Sequence, residues 1–167
     1  MTEKLSHINE HGAANMVDVG DKSPTRRTAT AEAFVRCCDE LVQAIRENTL
    51  AKGDLLGVAR IAGVMAAKRV DTLIPLCHTL PVEQATVETT LEDHGVRLVA
   101  RVITTAKTGV EMEALTAATV AALTVIDMGK AMDRAMVIEH VRLLEKTGGR
   151  RGEYRAANIE RSGEANA

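Results

Sequence analysis

The chain has 167 residues, 46% of them apolar and 26% charged, a formal net charge of −2, and only two aromatic side chains, Phe34 and Tyr154. That length suits one hydrophobic core and is short for two. The balanced charge and missing aromatics exclude bulk nucleic-acid binding by phosphate neutralisation or base stacking.

The core must be assembled from Ala, Val, Leu, Ile and Met. Small side chains pack closely but bury little area each, at ~25 cal/mol per Å², so a multimer is expected. The opening stretch "MTEKLSHINEHG" has no apolar run and reads as neither a signal peptide nor a membrane anchor. No 18-residue apolar run follows, so neither a membrane nor a nucleic-acid partner is expected, and a cytoplasmic location is. Cys37, Cys38 and Cys77 are odd in number, and the adjacent pair cannot easily bridge. A reducing compartment fits them.

Residues 1–15 read as a flexible N-terminal segment, 16–147 as a single α+β domain, and 148–167 as a flexible polar tail. Val17 and Val19 alternate with polar residues as a short strand does, and Asp21 to Pro24 reads as a turn or loop. From Ala31 to Glu47 the spacing of Phe34, Cys38, Leu41, Val42 and Ile45 predicts a helix, capped by Thr28 or Thr30. "KGDLLGVARIAGVMAAKR" predicts a second helix, with Asp54 near its start and Lys68 and Arg69 in its last turn. Residues 82–91 and 96–105 alternate on either side of "EDHG", a β-hairpin pattern. After "KTG" a long helix follows, apolar or small nearly all round from Ala114 to Ile126, which implies burial on more than one side. It reads as too short and too rich in Thr for a membrane span. "MVIEHVRLLEK" predicts the last strand. An antiparallel sheet with helices on one face accounts for these elements.

Four places carry possible chemistry. Lys52-Gly53-Asp54 reads either as a capped helix start or as an anion site with a lysine beside it. Glu111 and Glu113 suit a dipole-stabilised helix N-terminus. Asp127 and Lys130, three apart, share a helix face and are either an acid/base pair or a surface ion pair. Asp127 stands flush against a buried run, an unusual place for a solvated charge. Cys77-His78 lies in "LIPLCHTLP", between Pro75 and Pro81. Zinc is disfavoured, because no partner stands at ligand spacing. Alternation in an extended segment predicts that Cys77 is buried and His78 faces a cleft. Glu113 and Asp127 fall near one face of the long helix but about 21 Å apart along its axis. One small-molecule site therefore draws on both only through a long ligand or through two subunits, and two subunits is the preferred reading.

Taken together, "MVDVGDK", "KGDLLGVARIAGVMAAKR", "LIPLCHTLP", "KTGVEMEALTAATVAALTVIDMGKAM" and "VRLLEKTGG" resemble the cyclic pyranopterin monophosphate synthase family, protein C of molybdenum cofactor biosynthesis. The resemblance spans roughly residues 5–155. It implies a ferredoxin-like α+β subunit assembled as a homohexamer, a trimer of dimers with active sites at subunit interfaces. It also implies a lyase that turns 3′,8-cyclo-7,8-dihydro-GTP into cyclic pyranopterin monophosphate and pyrophosphate; no cofactor and no metal-ligating residue is assigned. Carried over by position, it makes Lys52, Asp127 and Lys130 catalytic. Leu76, Cys77, His78, Met112, Glu113, Glu111, Lys68 and Arg27 (the arginine before the first helix) then contact substrate. Thr79 stands where the family commonly has Pro, and Gly129 where Cys is common. Both departures bear on local rigidity.

Overall fold

A computed structural model describes residues 12–149 and 152–157. Its elements are β1 (Thr25–Arg36), α1 (Asp39–Arg46), α2 (Leu55–Ala67), β2 (Gln84–Glu92), β3 (Gly95–Ala106), α3 (Glu111–Gly129), β4 (Val137–Thr147) and β5 (Tyr154–Arg155). The sheet is antiparallel in the order β2-β3-β1-β4-β5. With the helices packed on it, this is an α+β arrangement consistent with a ferredoxin-like fold.

The largest departure from the sequence reading is β1. The helix expected over 31–47 is a central strand followed by the short helix α1. Ala29, Ala31, Ala33 and Val35 are all fully buried, a period of two that fits a pleated face. Alanine favours helix in isolation, but here these residues pair between β3 and β4, with Ala31 opposite both Ala100 and Leu143. Tertiary pairing overrides propensity. Thr28 and Thr30 are consequently strand residues, and Arg27 lies inside β1 rather than before a helix. Only Leu41, Val42 and Ile45 keep their predicted helical role, on the buried face of α1. Val17 and Val19 join no strand.

The remaining elements match the patterns that announced them. Asp54 caps α2 by accepting the Gly57 N–H at 2.9 Å, and Lys68 is the residue that closes that helix. The hairpin turns through Asp93 and His94. Tyr154 and Arg155, expected in the tail, pair with Lys146 and Glu145 on β4. The other tail residues, apart from 148, 149, 152, 153, 156 and 157, lie outside the described residues, as do residues 1–11 of the expected N-terminal segment.

The core lies between the alanine face of the sheet and the helices, and small residues set its thickness. A Cβ on Gly63 of α2 would fall 2.8 Å from the Ala117 carbonyl of α3 and 2.9 Å from Val87 of β2. Its hydrogen atom therefore permits close contact of three elements. Helix α3 is 19 residues long and apolar enough, by length and composition, to cross a bilayer. Length therefore does not argue against a span here; burial does, since Ala114, Ala117, Ala118, Ala121, Ala122 and Val125 are at most 1% exposed in the protein core.

The opposite face of the sheet is polar and centres on Glu32. Its carboxylate, 4% exposed, accepts from Arg97 at 2.8 Å and from Arg142 at 2.6 Å. Burial alone would raise its pKa, but the two guanidinium groups, Arg142 foremost, hold it below the ordinary value.

Candidate active site

The residues singled out in the sequence fall into two groups at opposite ends of α3. At the N-terminal end is a cavity of ≈ 470 Å³, lined among others by Arg27, Leu76, Cys77, His78, Glu111, Met112 and Glu113. Every residue read as a substrate contact lies there except Lys68, which is exposed at the end of α2.

The wall of this cavity is a turn rather than an extended segment. Cys77 N–H donates to the Ile74 carbonyl at 3.0 Å, which places Pro75 at the position of a β-turn where its fixed φ is favourable. The turn breaks the alternation expected of an extended chain, so Cys77 and His78 are both half-buried and both line the cavity. Further along, Thr104 Oγ1 donates to the Pro81 carbonyl at 2.6 Å and Thr79 Oγ1 to Asp71 at 2.6 Å. Thr79, where the resemblance leads to the expectation of proline, is thus held by a side-chain tether. His78 Nε2 donates to the Val17 carbonyl at 2.8 Å. That bond holds the segment around Val17 and Val19 against the cavity, which both valines line.

Glu113 is buried, 4% exposed, in the first turn of α3. Desolvation pushes its carboxyl up to about 7, aided by the charges of Glu111 and Asp71. Glu111 by contrast forms an ion pair with Lys146 at 2.6 Å. Burial, and secondarily the charge of Glu113, raises the pKa of the Cys77 thiol. A thiol held protonated is a poor nucleophile, which counts against a cysteine-centred reaction.

The second group stands at the C-terminal end. Lys52, in the turn before α2, donates to Asp127 Oδ2 at 3.2 Å and to the Asp127 carbonyl at 2.7 Å. Lys130, the residue that closes α3, donates to Asp127 Oδ1 at 2.7 Å. Lys130 first and Lys52 second hold the Asp127 carboxyl below its ordinary pKa, so it is ionised at neutral pH. All three side chains are 44–60% exposed. The following turn is fixed by buried Asp133, which accepts from Cys38 N–H at 2.8 Å and from Ala135 N–H at 2.8 Å. Fourteen positions of unbroken helix take the chain from Glu113 to Asp127, about 21 Å of rise. The two groups therefore do not meet within one chain.

Sequence reasoning missed Lys22, Lys107 and Lys146, which also line the cavity. Each sits in or beside a quoted motif ("MVDVGDK", "KTGVEMEAL", "VRLLEKTGG"), but a single lysine there reads as a solvated charge until the fold brings the three together. Among the described residues no group of three His, Cys, Asp or Glu side chains could hold a metal ion.

Known proteins match this sequence over nearly the whole chain. A protein from Thermomicrobium roseum, a cyclic pyranopterin monophosphate synthase, is 52% identical over 159 residues, covering 94% of this chain and 96% of the relative. Synthases of the same name from Methylobacterium nodulans and from Methylobacterium sp. are each 54% identical over 154 residues, covering 91% of this chain and 96% of theirs. Residues 16–149 match the model of the MoaC family; with both groups inside that span, the chain belongs to the MoaC family.

Proposed function

We propose that this protein is a cyclic pyranopterin monophosphate synthase of molybdenum cofactor biosynthesis. It acts on 3′,8-cyclo-7,8-dihydro-GTP and releases pyrophosphate. The observation that carries this reading is the identity of 52–54% to synthases of that name over more than nine-tenths of the chain. The finer assignment is to the lyases, acting in the cytoplasm. A ribose hydroxyl attacks the nearest phosphorus, the bond from that phosphorus to the pyrophosphate oxygen breaks, and pyrophosphate leaves with the electron pair. The hydroxyl proton must pass to a base, and the purine ring must open and be reprotonated to give the pterin.

Asp127, ionised beside two ammonium groups, is the base of this proposal, and Lys52 and Lys130 are the acids and charge stabilisers. Glu113, with its carboxyl near neutrality at about 7, suits hydrogen bonding to a guanine-type edge from the buried cavity. Leu76, Cys77, His78 and Met112 form the wall around it.

The exposure of Asp127 and its distance from Glu113 support a site completed by a second chain, within a homohexamer built as a trimer of dimers. There the C-terminal group of one subunit would close over the cavity of its neighbour. The test is incubation of the purified protein with the cyclised GTP. Pyrophosphate and the pterin product are expected in equal amounts; the absence of both overturns the proposal.

A further inference from the structure

The three charged groups at the C-terminal end of α3 are held unequally. Lys52 comes from a different part of the chain and is fixed by two acceptors, the Asp127 carboxylate at 3.2 Å and its backbone carbonyl at 2.7 Å. Lys130 is fixed by the carboxylate alone, at 2.7 Å, and its side chain is exposed. It is also the residue at which α3 stops, its N–H donating to the Ile126 carbonyl at 2.9 Å. Helix ends fray, and a long exposed side chain has many rotamers to lose. The placement of the Lys130 ammonium therefore depends on what anchors the backbone just beyond it.

That anchor is Asp133. The N–H groups of Met132 and Asp133 both donate to the Gly129 carbonyl, at 2.9 Å and 3.1 Å, which folds the chain back in a tight turn. The buried Asp133 carboxylate then ties this turn to α1, one oxygen accepting the Ala135 N–H and the other the Cys38 N–H, each at 2.8 Å. Cys38 is the N-cap of α1 and supplies no side-chain cap of its own. The carboxylate therefore stands where the α1 dipole favours negative charge. The Cys38 N–H is the main cause that holds the Asp133 pKa below its ordinary value, and the titratable groups facing it are Cys37, Cys38 and Glu40. A second contact braces the same two helices, since a Cβ on Gly129 would fall 2.7 Å from Leu41 Cδ2 of α1.

We propose that Asp133 is a positioning residue: by tying the turn after α3 to the start of α1, it holds the Lys130 ammonium against Asp127. The inference rests on the reaction proposed above, in which Asp127 is the base and Lys130 an acid and charge stabiliser. It adds to that reaction a residue that acts only through another. Among the described residues Asp133 makes no hydrogen bond to Lys52, Asp127 or Lys130. A turn released from α1 frees Lys130 to swing into solvent and leaves Asp127 paired with Lys52 alone.

Carboxyl ¹³C NMR titration of Asp127 in the full chain tests this role without turnover, because Lys130 is the largest cause of its lowered pKa. Asp133→Asn keeps the side-chain shape but turns an N–H donor toward one of the two backbone N–H groups, so a tether is lost. The Asp127 pKa is expected to rise, as it does in Lys130→Met, and the double variant is expected to rise no further than Lys130→Met alone. Loss of the Asp133 charge acts in the opposite direction, since removing a nearby anion lowers a carboxyl pKa; a rise therefore reports the displaced lysine. Should Asp133→Asn fail to fold, Cys38→Pro deletes the same N–H at a residue whose φ of −71° suits proline, and the same rise is expected. In turnover, kcat is expected to fall about 10²-fold with KM little changed, and the acid limb of the pH profile to move to higher pH with Asp127. An Asp127 pKa that stays put or falls in the folded variants, or that rises in the double variant beyond Lys130→Met, overturns the proposal. Its failure is distinct from failure of the reaction. A coupled rise in pKa without wild-type turnover of the cyclised GTP sinks the reaction and leaves the positioning role; turnover with an unmoved Asp127 pKa does the reverse.

Discussion

The two ends of α3 treat a carboxylate in opposite ways. At the N-terminal end Glu113 is buried, with no ion pair to a cation among the described residues, and desolvation lifts its pKa to about 7. At the C-terminal end Asp127 sits in solvent between two ammonium groups that hold its pKa down. Paired acid/base roles arise where environments push two titratable groups apart. Here the separation is already present in a single chain, although the groups themselves lie a full helix apart. One end is a walled cavity whose carboxylates are buried, as Glu113 is, or tied to a lysine, as Glu111 is, and the other an exposed ionised base lacking walls. Each supplies what the other is missing, as the two-subunit site proposed above requires.

Breaking each half in a different chain gives the largest expected effect. Asp127→Asn and Glu113→Ala are each expected to lower turnover by roughly 10³-fold or more as homo-oligomers, given the worth of a catalytic base or a positioning group. When the two inactive proteins are denatured, mixed in equal amounts and refolded, about a quarter of wild-type activity is expected to return. The reason is statistical: in an isologous pair, half of the dimers are mixed, and each mixed dimer holds one intact site. A mixture as inactive as its parents would place both residues in the service of one chain and remove the second subunit from the site.

A second, smaller effect separates the two carboxylates by pH. Glu113 ionises near 4.5 when unfolded and near 7 when folded. Between those values the folded state binds more protons, so stability falls as pH rises through this window and is level above it. Glu113→Gln removes the titration. Its stability relative to the wild type is expected to improve by roughly 2–3 kcal/mol between pH 4.5 and 8, read from urea unfolding at each pH. Parallel pH dependence in the two proteins would mean that Glu113 is solvated and that the contrast between the ends of α3 is weaker than described.

Much of this architecture could be read directly from the chain, and the exceptions have physical causes. The hairpin, α2, α3 and β4 follow from periodicity and caps, because each pattern stays within one element. The helix expected over 31–47 failed because its apolar spacing straddled the β1–α1 junction, joining Phe34 of the polar sheet face to Leu41 of the core. The strand's own signal was carried by Ala29, Ala31 and Ala33. Alanine is too small and too good a helix former to announce a strand; only its neighbours on β3 and β4 decide. The site divided similarly. Asp127 was conspicuous because a charge abuts a buried run, and the separation of Glu113 from Asp127 followed from helical rise alone. Lys107 and Lys146 lie 39 positions apart in sequence, and nothing local relates them. Arg27 was placed by family likeness, but its buried Nε, without a hydrogen-bond partner among the described residues, emerges only once Gly148 and Gly149 lie over it.

The smallest expected effect concerns the packing beneath the Asp127 group. Gly129 ends α3, and a Cβ there would fall 2.7 Å from Leu41 Cδ2 and 3.1 Å from Met136 Cε. Leu41 is fully buried, so it has little room to give way, and crowding of this kind costs about 1–3 kcal/mol. Gly129→Ala also gains up to ~1 kcal/mol from reduced backbone freedom in the unfolded chain and better helix propensity, less at a helix end than in its interior. The two terms oppose, and crowding is the larger. A net loss of about 1 kcal/mol is expected, or a Tm lower by about 2–4 °C for a chain of this size, read by calorimetry. A Tm that rises would show that Leu41 and Met136 yield freely. The C-terminal end of α3 would then be soft as well as exposed.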